Sequence, residues 1–277
     1  MNCSSKHVRT RTSAFARFTF GISLATALAA VSLILIPMPL AAQDKPSTIT
    51  TVETQTPKLG MESQYEAGRK QLAAWRKQMN DPSPLFVFEN ITGEETGAYL
   101  VLTEAKHWAD FDKPAVSMQD SVAEYKKVMA DANPRVVSRM YEYLGDVSYP
   151  GPNGSMSEPL KFSEVITFHV KYAKRAQFRG AMTLIHSAAE KAKWPVEFDW
   201  YALESGGTMP TYVLVESHAN WADFEDKPEM KPLRDILKDS FGQAEADAVM
   251  HNLDDSIETE SGNIVVYRPD LSYIPAK

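Results

Sequence analysis

Tyr99-Leu-Val-Leu-Thr-Glu-Ala-Lys-His-Trp-Ala-Asp-Phe-Asp-Lys-Pro114 returns later in the chain as Tyr212-Val-Leu-Val-Glu-Ser-His-Ala-Asn-Trp-Ala-Asp-Phe-Glu-Asp-Lys-Pro228. Tyr99 and Tyr212, Trp108 and Trp221, and Phe111 and Phe224 each stand 113 positions apart. A self-match of this length at one fixed offset marks two copies of a supersecondary unit. The reading of that unit decides the fold.

The second copy is the clearer one. From Phe162 to Tyr172 residue character alternates, with Ile166, Phe168, Val170 and Tyr172 on one face and Thr167, His169 and Lys171 on the other, as in a half-buried strand. Residues 176–192 predict a helix whose apolar stripe is Phe178, Ala181, Ile185, Ala188 and Ala192. Residues 196–203 and 211–217 predict two strands joined by a turn at Gly206 and Gly207. Asn220 is a good helix cap, and Asp223 three residues on completes a capping box. Residues 233–253 continue helically in two pieces around Gly242, and 263–267 form a last strand. The order is β-α-β-β-α-β. The first copy repeats it. Strands are predicted at 48–54, 85–90 and 98–103, and a helix at 61–79 carries Tyr65, Gly68, Leu72, Trp75 and Met79 on its buried face. Helical patterns follow at 117–129 and 134–144, with a short strand at 147–149.

The expected organisation is an export signal at 1–42, a first ferredoxin-like repeat at 43–150, a linker at 151–160 rich in Pro and Gly, and a second repeat at 161–277. The signal reading rests on Lys6, Arg9, Arg11 and Arg17 ahead of the uncharged apolar run Ile22 to Ile36, then Pro37 and small residues at Ala41 and Ala42. It places the protein in the periplasm or outside the cell. The one cysteine, Cys3, leaves with the signal, so disulfides and thiol chemistry are excluded. Removing four of the 29 Lys and Arg leaves 25 against 36 Asp and Glu, a net charge of −11. That acidity argues against nucleic acid or an anionic membrane surface as partner.

A split β-α-β sandwich covers one sheet face with helices and leaves the other in need of a partner. Two copies in one chain meet that need by packing sheet against sheet, forming a pseudo-dimeric α/β barrel. With this element order, the Trp-Ala-Asp-Phe corner and the duplication, the chain resembles the dimeric α/β-barrel superfamily, including antibiotic-biosynthesis-monooxygenase-like and NIPSNAP-like proteins. The resemblance spans nearly all of residues 48–270. It implies the fold; the superfamily's activities range from oxygenases to haem enzymes, so it implies no single chemistry.

Candidate site residues follow from strand parity. If Ile166, Phe168 and Val170 face the helices, His169 faces the cavity between the sheets, and its counterpart 113 positions earlier is Thr56. If Val213 and Val215 face the helices, then Tyr212, Leu214 and Glu216 face the cavity, opposite Tyr99 and Val101. Tyr201 joins them under one parity of its strand. His169 and Glu216 are the catalytic candidates, as a general acid/base pair; Tyr99, Val101, His169, Tyr201, Tyr212 and Leu214 are the ligand-binding candidates. Trp108 and Trp221 read as core anchors at the strand-to-helix corners, and His107 and Asn220 as caps. His186 and His251 are the histidines a haem would use, haem being an alternative the resemblance raises; otherwise no cofactor is expected. No His-x-x-x-His or His-Glu-x-x-His spacing, phosphate loop or Gly-x-Ser-x-Gly occurs, so no metal site is expected. The favoured role is binding a small apolar or aromatic molecule in the cavity, by a monomer or homodimer. A cofactor-independent monooxygenase and a structural or protein-interaction module are the alternatives.

Overall fold

The computed structural model describes residues 48–103, 107–150, 160–225 and 230–275. The export signal at 1–42 and most of the linker at 151–160 lie outside them. The first repeat runs β1 (Ile49–Thr56), α1 (Glu62–Gln78), β2 (Leu85–Asn90), β3 (Tyr99–Thr103), α2 (Met118–Val128) and β4 (Arg135–Tyr143). The second runs β5 (Phe162–Val170), α3 (Arg175–Ala192), β6 (Asp199–Ser205), β7 (Thr211–His218), α4 (Leu233–Phe241), α5 (Gln243–Ser256) and β8 (Ile257–Tyr267). Short 3₁₀ turns at Trp108–Asp112 and Trp221–Phe224 follow β3 and β7.

The eight strands close into one antiparallel barrel in the order β1-β3-β2-β8-β5-β7-β6-β4. Two seams join the repeats. At one, Phe88 pairs with Tyr267 and Asn90 with Val265; at the other, Glu142 pairs with Ala202 and Tyr143 with Tyr201. Closure within a single chain leaves no sheet edge to template aggregation. The repeats keep one register. Gln55 opposes Tyr99 and Glu53 opposes Val101 in the first, as Phe168 opposes Tyr212 and Ile166 opposes Leu214 in the second, all at the 113-residue offset.

Helices cover the outside. Under α1 and α2, Tyr65 and Leu72 pack with Leu85, Val87, Tyr99, Val101 and Met129. Gly68 lets the two helices touch, because a Cβ there would stand 2.8 Å from the Val128 carbonyl oxygen. Under α3, a ring cluster of Phe168, Phe178, Trp200 and Tyr212 fills the layer, with centroids 5.0–5.9 Å apart. Gly242, at φ +87, divides α4 from α5, a backbone state that costs a side chain dearly. No helix among the described residues is long and apolar enough to cross a membrane.

Two elements differ from expectation. Most of the segment 134–144 forms β4 (Arg135–Tyr143), not a helix: apolar residues at 136, 137, 140, 141 and 144 mimic helical spacing, but β4 pairs along its length with β1 and then with β6. The expected strand at 147–149 reduces to one bridge between Tyr149 and Phe198.

Candidate functional site

Strand alternation together with the packing partners sorts every strand residue onto the helix-covered outside or the barrel lumen. Leu85, Val87, Tyr99 and Val101 pack on helices, so their neighbours Phe86, Phe88, Leu100 and Leu102 point inward. There Phe86 and Phe88 cluster with Val265 and Tyr267, and Leu100, Leu102 and Val165 pack against them. The Phe88 and Tyr267 rings stand 5.5 Å apart across the seam. This is the apolar wall of the lumen.

The opposite wall is polar. Trp200 packs outward on α3, which turns Asp199 and Tyr201 inward. Glu142 lines an outer cavity with Arg175 and Arg179 of α3, which turns Tyr143 inward. The Tyr143 hydroxyl donates to Asp199 Oδ1 at 3.0 Å, and its ring lies 5.4 Å from that of Tyr201. Arg139, inward on the same strand, donates to Thr54 Oγ1 at 3.3 Å. Burial raises the Asp199 carboxyl above its ordinary range, against the hydrogen bond from Tyr143, which lowers it. Burial also pushes the Tyr143 phenol up to about 12, and raises that of Tyr201 further. Both phenols therefore stay protonated donors at neutral pH.

His169 faces the lumen beside Thr167, as strand parity predicts. Its Nδ1 lies 2.7 Å from Thr211 Oγ1, and that hydroxyl donates to the Thr208 carbonyl at 2.6 Å. The threonine proton is thus committed, so Nδ1 carries the hydrogen and Nε2 is the acceptor in the neutral ring. The lumen is not packed solid. Val165, Thr167, His169, Asp199, Tyr201, Tyr143, Leu100 and Leu102 stay only half-buried although strands surround them.

Tyr201 is likewise where one parity of its strand put it. Four other candidates are on the wrong side. Tyr99 and Val101 lie under α1 and α2, where the Tyr99 hydroxyl donates to Glu66 Oε1 at 2.9 Å. Tyr212 stacks on Phe178 of α3 at 5.0 Å, and Leu214 shares its face. From Tyr99 to Leu102 and from Tyr212 to Val215 both faces carry apolar or aromatic residues, so residue type alone cannot choose a parity; the helices choose it, by offering aromatic and aliphatic partners to one face. Glu216 goes outward with Tyr212 and Leu214. A His169–Glu216 acid/base pair is therefore excluded, since the two residues occupy opposite sheet faces. Trp108 and Trp221 are not core anchors either: they are 49% and 54% exposed, Trp221 lying over Phe162 at 4.5 Å. Capping is as expected: Asp110 Oδ2 accepts from His107 N at 3.0 Å, and Asn220 Oδ1 accepts from Ala222 N at 2.8 Å.

Sequence reasoning missed Tyr143, hidden in the segment read as a helix, and the outward grouping of the candidate Glu216 with Glu164 and His218. Burial, then the adjacent Glu164, push the Glu216 carboxyl up to about 8.

A solved structure from Fusobacterium nucleatum subsp. nucleatum, of a protein proposed to be a monooxygenase, superposes on 80% of this chain and 93% of its own at a TM-score of 0.51 and 10% identity. The fold is a dimeric α/β barrel. A protein from Lactobacillus acidophilus, also proposed to be a monooxygenase, gives 0.49 at 10% identity over 83% of this chain and 97% of its own. A mutant chlorite dismutase from Candidatus Nitrospira defluvii gives 0.49 at 8% identity over 82% and 93%. No protein-family model matches the sequence, and no curated protein matches it.

The two histidines named for a haem, His186 and His251, line neither of two outer cavities, of about 520 and 320 Å³, and no other histidine lines them. The helix-to-sheet layer of the second repeat is filled by its own rings. His186 lies 3.5 Å from Glu190 on its own helix, and His251 is exposed on α5.

Proposed function

We propose that the protein binds a small, largely apolar molecule in the barrel lumen, its apolar body against Phe86, Phe88, Leu100 and Leu102 and its polar end at Asp199, Tyr143 and Tyr201. One observation carries this reading: the lumen is divided into an apolar and a polar wall, and Leu100, Leu102, Val165, Thr167, Asp199 and Tyr201 stay only half-buried inside a closed ring of strands. Convergent polar groups on a largely apolar, preformed surface are what orient a small ligand. The ligand class is a neutral or hydrogen-bond-accepting molecule, because the Tyr201 phenol holds its proton and presents a donor, while the Tyr143 proton is given to Asp199. Binding would take place after export, in the periplasm or beyond.

The likeness to a protein proposed to be a monooxygenase is one of fold at 10% identity, and it does not favour an oxygenase here. The pairing of Asp199 with Tyr143 serves orientation without requiring turnover.

The test is titration of the mature protein with N-phenyl-1-naphthylamine, a neutral fluorophore that brightens in apolar surroundings. Saturable one-site enhancement is expected, abolished by Thr167→Trp, which fills the lumen from an inward, half-buried position. Enhancement that never saturates, or that survives Thr167→Trp in full, would overturn the reading.

A further inference from the structure

β5 and β7 bring Glu164, Glu216 and His218 together on the outward face of the second sheet. Glu164 and Glu216 are directly paired across the strands, and His218 follows Glu216 by two residues, hence on the same face. Carboxylate oxygens of both glutamates and a ring nitrogen of His218 lie within 4.8 Å of one another. Among the described residues this is the one grouping of three or more such side chains with that closeness. We propose that these three residues bind a divalent first-row transition ion.

Three features carry the assignment. The first is the donor set. Two carboxylates and an imidazole suit Zn²⁺, Mn²⁺ or Fe²⁺, and three protein ligands leave a coordination position for water or substrate. Donors about 2.1 Å from a tetrahedral ion stand roughly 3.4 Å apart. Small side-chain rotations bring the present spacing to that value.

The second is an unmet need. Glu216 is 4% exposed and its Oε1 is buried with no hydrogen-bond partner. A buried carboxylate oxygen without a donor, facing a second carboxylate, is a poor arrangement for structure alone. A cation bridges both carboxylates at once, where otherwise a single shared proton would have to serve them. Glu164 and His218 are only half-buried, which leaves an approach from solvent.

The third is asymmetry. The positions 113 residues earlier are Thr51, Thr103 and Ala105, none of which matches this donor set. The fold is therefore built equally well without the cluster. His218 is also held in place. Its ring lies 4.0 Å from that of Phe224, which in turn contacts Phe162 and Trp221 at 6.2 and 5.3 Å. The capped turn at Asn220 fixes Phe224, so the aromatic wall orients the imidazole from one side while the glutamates face it from the other.

The site lies outside the lumen and does not rest on the ligand reading above. The experiment is equilibrium dialysis of the EDTA-treated, desalted protein against Co²⁺, followed by visible absorption. One Co²⁺ per chain is expected, with d–d bands that Zn²⁺ abolishes. Glu216→Gln and His218→Asn, each with an unchanged far-UV circular dichroism spectrum, should weaken uptake by at least about 100-fold, the upper end of the loss from removing even an outer-shell partner. If Glu216→Gln fails to fold, the half-buried His218→Asn decides. Wild-type protein that takes up no cobalt, or a folded variant that binds it as wild type does, would overturn the proposal.

Discussion

Tyr143 and Asp199 belong to different repeats, yet the phenol of one donates to the carboxylate of the other at 3.0 Å inside the barrel. The bond crosses the β4–β6 seam, so a lumenal polar group and the closure of the barrel share one contact. Burial raises the Asp199 carboxyl above its ordinary value of 3.8. Its contribution to stability is therefore complete below that value and declines as pH rises through the folded-state pKa. Asp199→Asn cannot ionise and loses this decline. From about pH 4 to about pH 8, the urea midpoint of Asp199→Asn should move upward relative to wild type. A constant difference between the two would mean that Asp199 is not buried as described.

Arg268 carries the opposite sign. It donates to Glu66 Oε1 and Glu89 Oε2, each at 2.7 Å, and the bond holds the Glu66 carboxyl below the usual range. A lowered carboxylate stabilises above its unfolded value of 4.5 and loses that contribution as pH falls. Arg268→Met should cost about 1 kcal/mol at neutral pH, the figure for a partly exposed network, and less in acid. Denaturant titration at the two pH values measures it.

Trp200 sits at 1% exposure between Phe168 and Phe178. Trp200→Ala should destabilise by about 3–5 kcal/mol through lost burial and the cavity left behind. Thermal unfolding should show it as a single, earlier transition, because the barrel closes across both repeats; two separate transitions would contradict that coupling.

Asn220→Ala removes the cap of the Trp221–Phe224 turn, at a cost of about 1 kcal/mol. The same variant frees the aromatic wall around His218. It should weaken Co²⁺ uptake less than His218→Asn does, and both readouts can be taken on one preparation.

The fold was legible because its signal was repeated. Tyr99 to Phe111 and Tyr212 to Phe224 anchor two copies, and β2, α1, α3 and the break at Gly242 fall where the residue pattern puts them. β4 was not legible: Val136, Val137, Met140 and Tyr141 have helical spacing, and only pairing with β1 and β6 makes them a strand. The inward face was legible at His169, whose strand alternates in character, while Tyr201 was placed under only one of two open parities. It was not at Tyr99, Val101, Tyr212 and Leu214, whose neighbours Leu100, Leu102, Val213 and Val215 are as apolar as they are, and the choice of face belongs to Tyr65, Phe178 and the other helix side chains. Glu216 and His218 were adjacent in the sequence on one strand face. Glu164 becomes their neighbour only through the β5–β7 register, fifty-two positions away.

A barrel assembled from two separate copies would fall apart on dilution, and would be obliged to carry every residue twice. Joined in one chain, the halves meet at an effective concentration that no dilution changes, so the folded population should be independent of protein concentration. The second obligation is lifted as well. A histidine facing the interior, or a pair of glutamates facing out, needs to be tolerated at one address only, and its counterpart is free to remain a threonine.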